Sequence, residues 1–147
     1  MLPTDFLTFA DAVLKTLPCP AGFRSVVSRA YYAAHHHIKV FVEGVGVTLP
    51  KTADAHTDLC RHLAEINDVE LEMVGTGLSQ LRSDRNEADY DLLKTQYEKS
   101  NNASDRVAEA RDLMKIVDDC LADKSRYEKV KAAIRKRNRF LYSGANK

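Results

Sequence analysis

From residue 103 to residue 121 an apolar side chain returns every three or four positions: Ala103, Val107, Ala110, Met114, Val117 and Leu121. Only an α-helix, at 3.6 residues per turn, brings that set onto one face. No stretch of the chain alternates with the two-residue period of a strand. Helical periodicity extends over the rest of the sequence. Residues 4–17 place Phe6, Phe9, Val13 and Leu17 on one side and stop near Pro18-Cys19-Pro20. Pro20 suits the first turn of the next helix, where its missing N–H costs nothing. That helix runs to about Glu43, with Val27, Ala30, Tyr31, Ala34, Ile38 and Phe41 as its stripe, and Gly44-Val45-Gly46 ends it. Residues 44–54 form a loop containing Pro50, and a third helix starts near Ala53, turns Leu59, Leu63 and Ile66 inward and breaks at Asn67-Asp68. A fourth runs from Val69 through Tyr90, with Met73, Leu78, Leu81 and Ala88 inward. Gly75 and Gly77 interrupt it, at a cost of about 1 kcal/mol each relative to alanine. They mark either a break or a place where another helix comes very close. Ser100-Asn101-Asn102 is a polar stop, and a last helix, about 126–140, carries Tyr127, Val130 and Ile134. The expected fold is all-α, an antiparallel bundle of four main helices plus shorter ones in a single domain, residues 1–147.

With 44% hydrophobic residues, a chain of 147 residues can bury a core without disulfides or metals to staple it. Its apolar runs are too short to span a membrane. Met1-Leu2-Pro3-Thr4-Asp5 lacks the basic stretch and apolar centre of a signal peptide, so a cytoplasmic location is expected. Cys19, Cys60 and Cys120 are isolated and odd in number. Without a CxxC pair they are expected to be small hydrophobes rather than zinc ligands or a redox couple. The net charge of +1 hides a split. Residues 126–147 carry eight Lys or Arg (Arg126, Lys129, Lys131, Arg135, Lys136, Arg137, Arg139 and Lys147) against one acid, Glu128, while residues 1–125 carry fourteen basic and twenty acidic residues. A basic end on an acidic body fits contact with RNA or an acidic partner. It fits equally a helix end whose cations face its own dipole.

Several chemistries are disfavoured. His35-His36-His37 project about 100° apart on a helix and cannot converge on one metal ion. His37 lies near the apolar stripe, as a satisfied core histidine would, and His35 shares a side with Ser28, Tyr32 and Lys39. His56 and His62 face different ways. No G-x-S-x-G elbow occurs, Gly44-Val45-Gly46 lacks the rest of a nucleotide fingerprint, and no Glu-x-x-His pair supports a di-iron bundle. No cofactor or metal is expected. The remaining candidate is Leu81-Arg82-Ser83-Asp84-Arg85-Asn86-Glu87-Ala88-Asp89-Tyr90-Asp91. Arg82, Arg85 and Asp89 stand at i, i+3 and i+7 and share a helix face. There they would hold a phosphate and move a proton, or form an intrahelical ion-pair ladder facing water. In the structural alternative Arg85 and Asp89 lock the helix, and Tyr90 and Tyr31 stack in the core.

Two segments resemble the HEPN superfamily. Ser28-Arg29-Ala30-Tyr31-Tyr32-Ala33-Ala34-His35 is similar to its second-helix A-Y-Y-A signature. Leu81-Arg82-x-x-Arg85-Asn86-x-Ala88-Asp89-Tyr90-Asp91 is similar to the R-x-x-A-D-Y variant of small stand-alone members. Between them, Pro50-Lys51-Thr52 with His56 resembles a K-T-H element, and the likeness extends over roughly residues 4–122. The resemblance implies a helical bundle that forms a homodimer. It implies a metal-independent endoribonuclease, toxin-like or defence-associated, with a nucleotidyltransferase-type antitoxin as a possible partner. In such enzymes the arginine binds the scissile phosphate, a following histidine is acid or base, and the RNA 2′-OH attacks phosphorus. Arg85-Asn86 matches the first half of that pattern. No histidine follows His62, and Asp89 and Tyr90 stand where one would be. The site implied is therefore Arg85, Asn86, Asp89 and Tyr90, with His35 as a candidate accessory base. RNA contacts would come from Arg82, Lys131, Arg135, Lys136, Arg137 and Arg139. The alternative function is an inactive HEPN homologue, a dimeric scaffold that binds a nucleotide or a protein.

Overall fold

In a computed structural model that describes residues 1–143, all regular structure is helical. The helices are α1 (Pro3–Thr16), α2 (Pro20–Gly44), α3 (Ala55–His62), α4 (Val69–Tyr90), α5 (Ser100–Ala122) and α6 (Lys124–Ser143), with one 3-10 turn at Thr95–Glu98. Lys147 of the basic segment lies outside the described residues. No described helix is long and apolar enough to cross a membrane. The chain divides into two compact units, Met1–His37 with Gly77–Met114, and Ile38–Thr76 with Lys115–Lys147.

The helix starts follow from local chemistry. Pro3 opens α1, and the Asp5 carboxylate accepts the Leu2 N–H at 2.7 Å. Asp68 caps α4 by accepting the Leu71 N–H at 3.0 Å, which is why the chain breaks at Asn67-Asp68. Asp123 does the same for Arg126 at 3.1 Å, so α6 begins earlier than its apolar stripe. The α3 helix begins at Ala55 because a turn from Thr52 to Ala55 precedes it, closed by a 3.0 Å bond.

In the first unit α1 buries Leu7, Ala10 and Val13. Its stripe is centred one position away from the expected one, since Phe9, 54% exposed, and Leu17 face outward. Helix α4 runs unbroken through both glycines. Each marks a close approach: a Cβ on Gly77 would lie 2.8 Å from a Leu113 methyl of α5. In the second unit a Cβ on Gly75 would lie 3.2 Å from Leu63. The inward set of α4 is Leu71, Val74, Leu78, Leu81 and Ala88, and Met73, expected inward, is 60% exposed. On α5 the helix turns Cys120 rather than Leu121 inward at its end.

The second unit is tied by polar bonds to α6. The buried His62 sets Nδ1 2.7 Å from the Asp58 carbonyl and Nε2 2.9 Å from the Asn138 amide oxygen. Arg126 grips Asp68 with two parallel bonds of 2.8 Å. Glu65 and Asn67 take left-handed backbone angles, φ 57° and 58°, and the Glu72 carboxylate accepts the N–H groups of Ile66 and Asn67 at 3.0 and 3.1 Å. These bonds offset the strain of two non-glycine residues in that region.

Candidate phosphate site on α2 and α4

The buried stripe of α4 runs 71, 74, 78, 81, 85, 88, and five of the six positions are apolar. The sixth is Arg85. A guanidinium thus occupies a place that helical geometry reserves for the core, and it is 9% exposed. Arg85 makes no hydrogen bond or ion pair with any described residue, and its Nε is buried without a partner. What surrounds it is aromatic: its Cζ lies 5.2 Å from the Tyr31 ring centroid and 5.3 Å from that of Tyr32. Such stacking stabilises a desolvated cation by about 2 kcal/mol, less than the several kcal/mol that burying it costs. It also leaves the in-plane N–H donors of the guanidinium for something else.

Helix α2 supplies the rings in i, i+4 pairs. Tyr31 and His35 stack at 5.5 Å, and Tyr32 and His36 at 6.1 Å. The Tyr31 hydroxyl oxygen is 3.4 Å from His35 Nδ1, and both side chains are buried. The fully buried member of the histidine run is therefore His35, while His37 is half-buried. Phe6 of α1 closes the stack, 6.0 Å from Tyr32 and 5.6 Å from His36. Arg29 lies over the same group, 5.3 Å from the Tyr32 centroid and 5.8 Å from Phe6.

The polar neighbours of Arg85 go elsewhere. The Arg85–Asp89 ion pair of the structural alternative does not form. Asp89 instead accepts the Ser28 hydroxyl at 3.0 Å, tying α4 to α2. Asn86 is exposed, Arg82 half-buried, and Tyr90, 78% exposed, is no core residue. Leu92 and Leu93 beyond it are exposed as well. On the next face of α4, buried Asp84 accepts Arg106 at 2.7 Å, Tyr97 at 3.1 Å and Gln80 at 3.0 Å. Burial, followed by the Glu87 and Asp84 carboxylates, pushes the Tyr97 phenol far above its ordinary value, so it stays protonated. Burial works against the Arg106 cation, yet its bond to Asp84 and the negative charges of Glu109 and Asp84 hold its pKa above the ordinary value.

Arg24, which the sequence pattern did not reveal, holds the end of α4 that follows this site. It is 8% exposed, and it donates to the carbonyls of Ala88, Asp91, Leu92 and Lys94 and to Glu98 at 2.8–3.2 Å. Four carbonyls at and beyond the end of α4 are thereby satisfied by one side chain. A signal was present: Arg24 stands in phase with Val27, Tyr31, Ala34 and Ile38 on the buried stripe of α2. Arg29 and Phe6 were missed because their meeting is tertiary.

Arg82, Arg85, Asn86, Asp89, Tyr90 and His35 all belong to the first unit, and Lys131, Arg135, Lys136, Arg137 and Arg139 to the second. Arg135 donates to the Val45 carbonyl at 2.6 Å; Arg137 pairs with Glu65 at 2.7 Å and lies over Phe140. Lys136 and Arg139 are exposed and Lys131 half-buried. A cavity of about 420 Å³ opens between residues 66–68 and α6, beside Arg126 and Lys129. Among the described residues no three His, Cys, Asp or Glu side chains are grouped to hold a metal ion, and the three cysteines are free thiols.

No family model, curated protein or solved structure matches the chain. Both motifs singled out in the sequence, residues 28–35 and 81–91, contribute side chains to the surroundings of Arg85.

Proposed function

We propose that this chain is a HEPN-type protein acting on RNA as a metal-independent endoribonuclease, toxin-like or defence-associated and working as a homodimer. The observation that carries this reading is the buried Arg85 guanidinium without a counter-ion. A cation held that way is favourable once an anion arrives, and a phosphodiester offers two in-plane acceptors to its fork. In the reaction the RNA 2′-OH attacks the adjacent phosphorus, the P–O5′ bond breaks, and a 2′,3′-cyclic phosphate and a 5′-OH result. Arg85 neutralises the charge that develops on the non-bridging oxygens. His35, backed by Tyr31, takes the proton of the 2′-OH, and the leaving oxygen is protonated in turn. Asp89, held by Ser28, orients the strand from the side of α4, with Asn86 and Tyr90 at its rim. Arg82 and the basic residues of α6 contribute backbone attraction. A nucleotidyltransferase-type protein would serve as the antitoxin.

A second reading has its own support in the exposed Tyr90, Leu92 and Leu93 and in the missing histidine after Arg85. Here the protein is an inactive, dimeric scaffold that binds a nucleotide or a partner protein through this end of α4.

Expression of the wild type and of Arg85→Ala in a growing bacterium, with total RNA followed beside growth, separates the two. Growth arrest with RNA cleavage, both abolished by Arg85→Ala, is the outcome expected of the nuclease. Normal growth and intact RNA in both strains would replace it with the scaffold.

A further inference from the structure

Two guanidiniums lie against the Tyr32 ring. Arg85 and Arg29 each place Cζ 5.3 Å from its ring centroid, so the two cations stand no further apart than twice that distance. Neither has an ion pair or a hydrogen bond among the described residues. On the same two helices, Ser28 and Asp89 are bonded to each other. Two positive charges this close repel one another, and the ring that attracts both does not neutralise either. Stacking on Phe6 and Tyr32 fixes the plane of Arg29 while leaving its N–H edge available, as it does for Arg85. Tyr32 and Arg29 are half-exposed, so solvent reaches this group of side chains although Arg85 is buried.

We infer that Arg29 and Arg85 form a two-phosphate clamp beside Tyr32, and that the site takes a ligand bearing two neighbouring phosphates. This rests on Arg85 being a phosphate-holding residue and goes beyond it in assigning Arg29 and the charge of the ligand. A phosphodiester carries a single negative charge, so one of them matches one arginine and leaves the other uncompensated. Two successive diesters of a single strand match both, and so does the pyrophosphate group of a nucleoside diphosphate.

The test is equilibrium binding of a fluorescent 2′-O-methyl oligouridylate, which cannot be cleaved by 2′-OH attack, across a range of KCl concentrations. Each phosphate contact on a single strand contributes about 0.7 to the slope of log affinity against log salt. Arg29→Gln and Arg85→Gln are each expected to flatten the slope by about that amount, and the double variant by about twice as much. Arg29→Lys keeps the charge and is expected to keep the slope, which a merely structural role for Arg29 would not produce. Thermal melts of each variant identify any that fails to fold, and Arg29→Lys then carries the comparison. Competition by ADP that Arg29→Gln abolishes identifies the pyrophosphate as the source of the two charges. Oligonucleotide binding that ADP does not disturb identifies successive diesters. An unchanged slope and affinity in Arg29→Gln, with a flattened slope in Arg85→Gln, overturns the clamp and leaves Arg85 as a single phosphate site. Unchanged slopes in both variants, or no binding of either probe to the wild type, overturn the clamp and the phosphate reading of Arg85 together.

Discussion

The Arg85 side chain stands where helix α4 would otherwise place a sixth core residue, with aromatic faces for neighbours and no carboxylate. Folding removes its hydration without returning an ion pair, so the position lowers stability in exchange for a ready cation. Arg85→Met, which keeps the length and removes the charge, is therefore expected to raise the urea midpoint by an amount worth about 1–2 kcal/mol while weakening oligonucleotide binding. Loss of stability in that variant would mean that Arg85 holds the fold together, and the site would have to be sought elsewhere. Its neighbour in sequence behaves in the opposite way. Asp84 is also buried, but three donors converge on it, so it belongs to the scaffold.

At the scale of the element, α4 ends where it does because of a residue on another helix. Arg24 of α2 gathers the carbonyls of Ala88, Asp91, Leu92 and Lys94 and the carboxylate of Glu98. Arg24→Ala is expected to cost about 3 kcal/mol, because those carbonyls lose their donor in a water-poor place and Glu98 loses its cation. Hydrogen exchange at residues 88–98 would locate the loss. Uniform exchange across the first unit, with no excess there, would count against it. Helix periodicity made most of this architecture legible before any coordinates. The bounds Val69 and Tyr90 of α4 and the small-residue face of α5 follow directly from spacing. What spacing did not convey was which phase wins when two compete. On α1, Phe9 and Leu17 form as good a stripe as Leu7, Ala10 and Val13, and only the tertiary neighbours decide. The site was half legible. Arg85, Asn86, Asp89 and the tyrosine pair lie in recognisable motifs, whereas Arg24 did not stand out because a polar side chain in a stripe looks like a gap. The meeting of Phe6 and Arg29 on Tyr32 joins α1 to α2, and no local pattern encodes it.

At the scale of the molecule, acid sensitivity has an identifiable source in the second unit. The hydrogen bonds from Arg126 hold the Asp68 carboxyl below its ordinary range, against the opposing effect of burial. A carboxyl depressed on folding contributes stability above its unfolded pKa, near about 3.9, and loses it as pH falls through the lower folded value. Asp68→Asn is expected to be less stable than the wild type by about 1 kcal/mol at neutral pH, a modest figure because the pair is near the surface. The gap should close as the pH drops below about 3.9. Urea titrations of both proteins from neutral to acid pH measure it, and a gap that persists into acid would assign the effect to the cap on Leu71 instead. A different consequence attaches to the contact between Gly77 and Leu113, where an added methyl would press on the Leu113 methyls. The end of that side chain can swing aside, so Gly77→Ala is expected to fold with Leu113 in another rotamer, and a smaller residue at 113 would relieve the crowding.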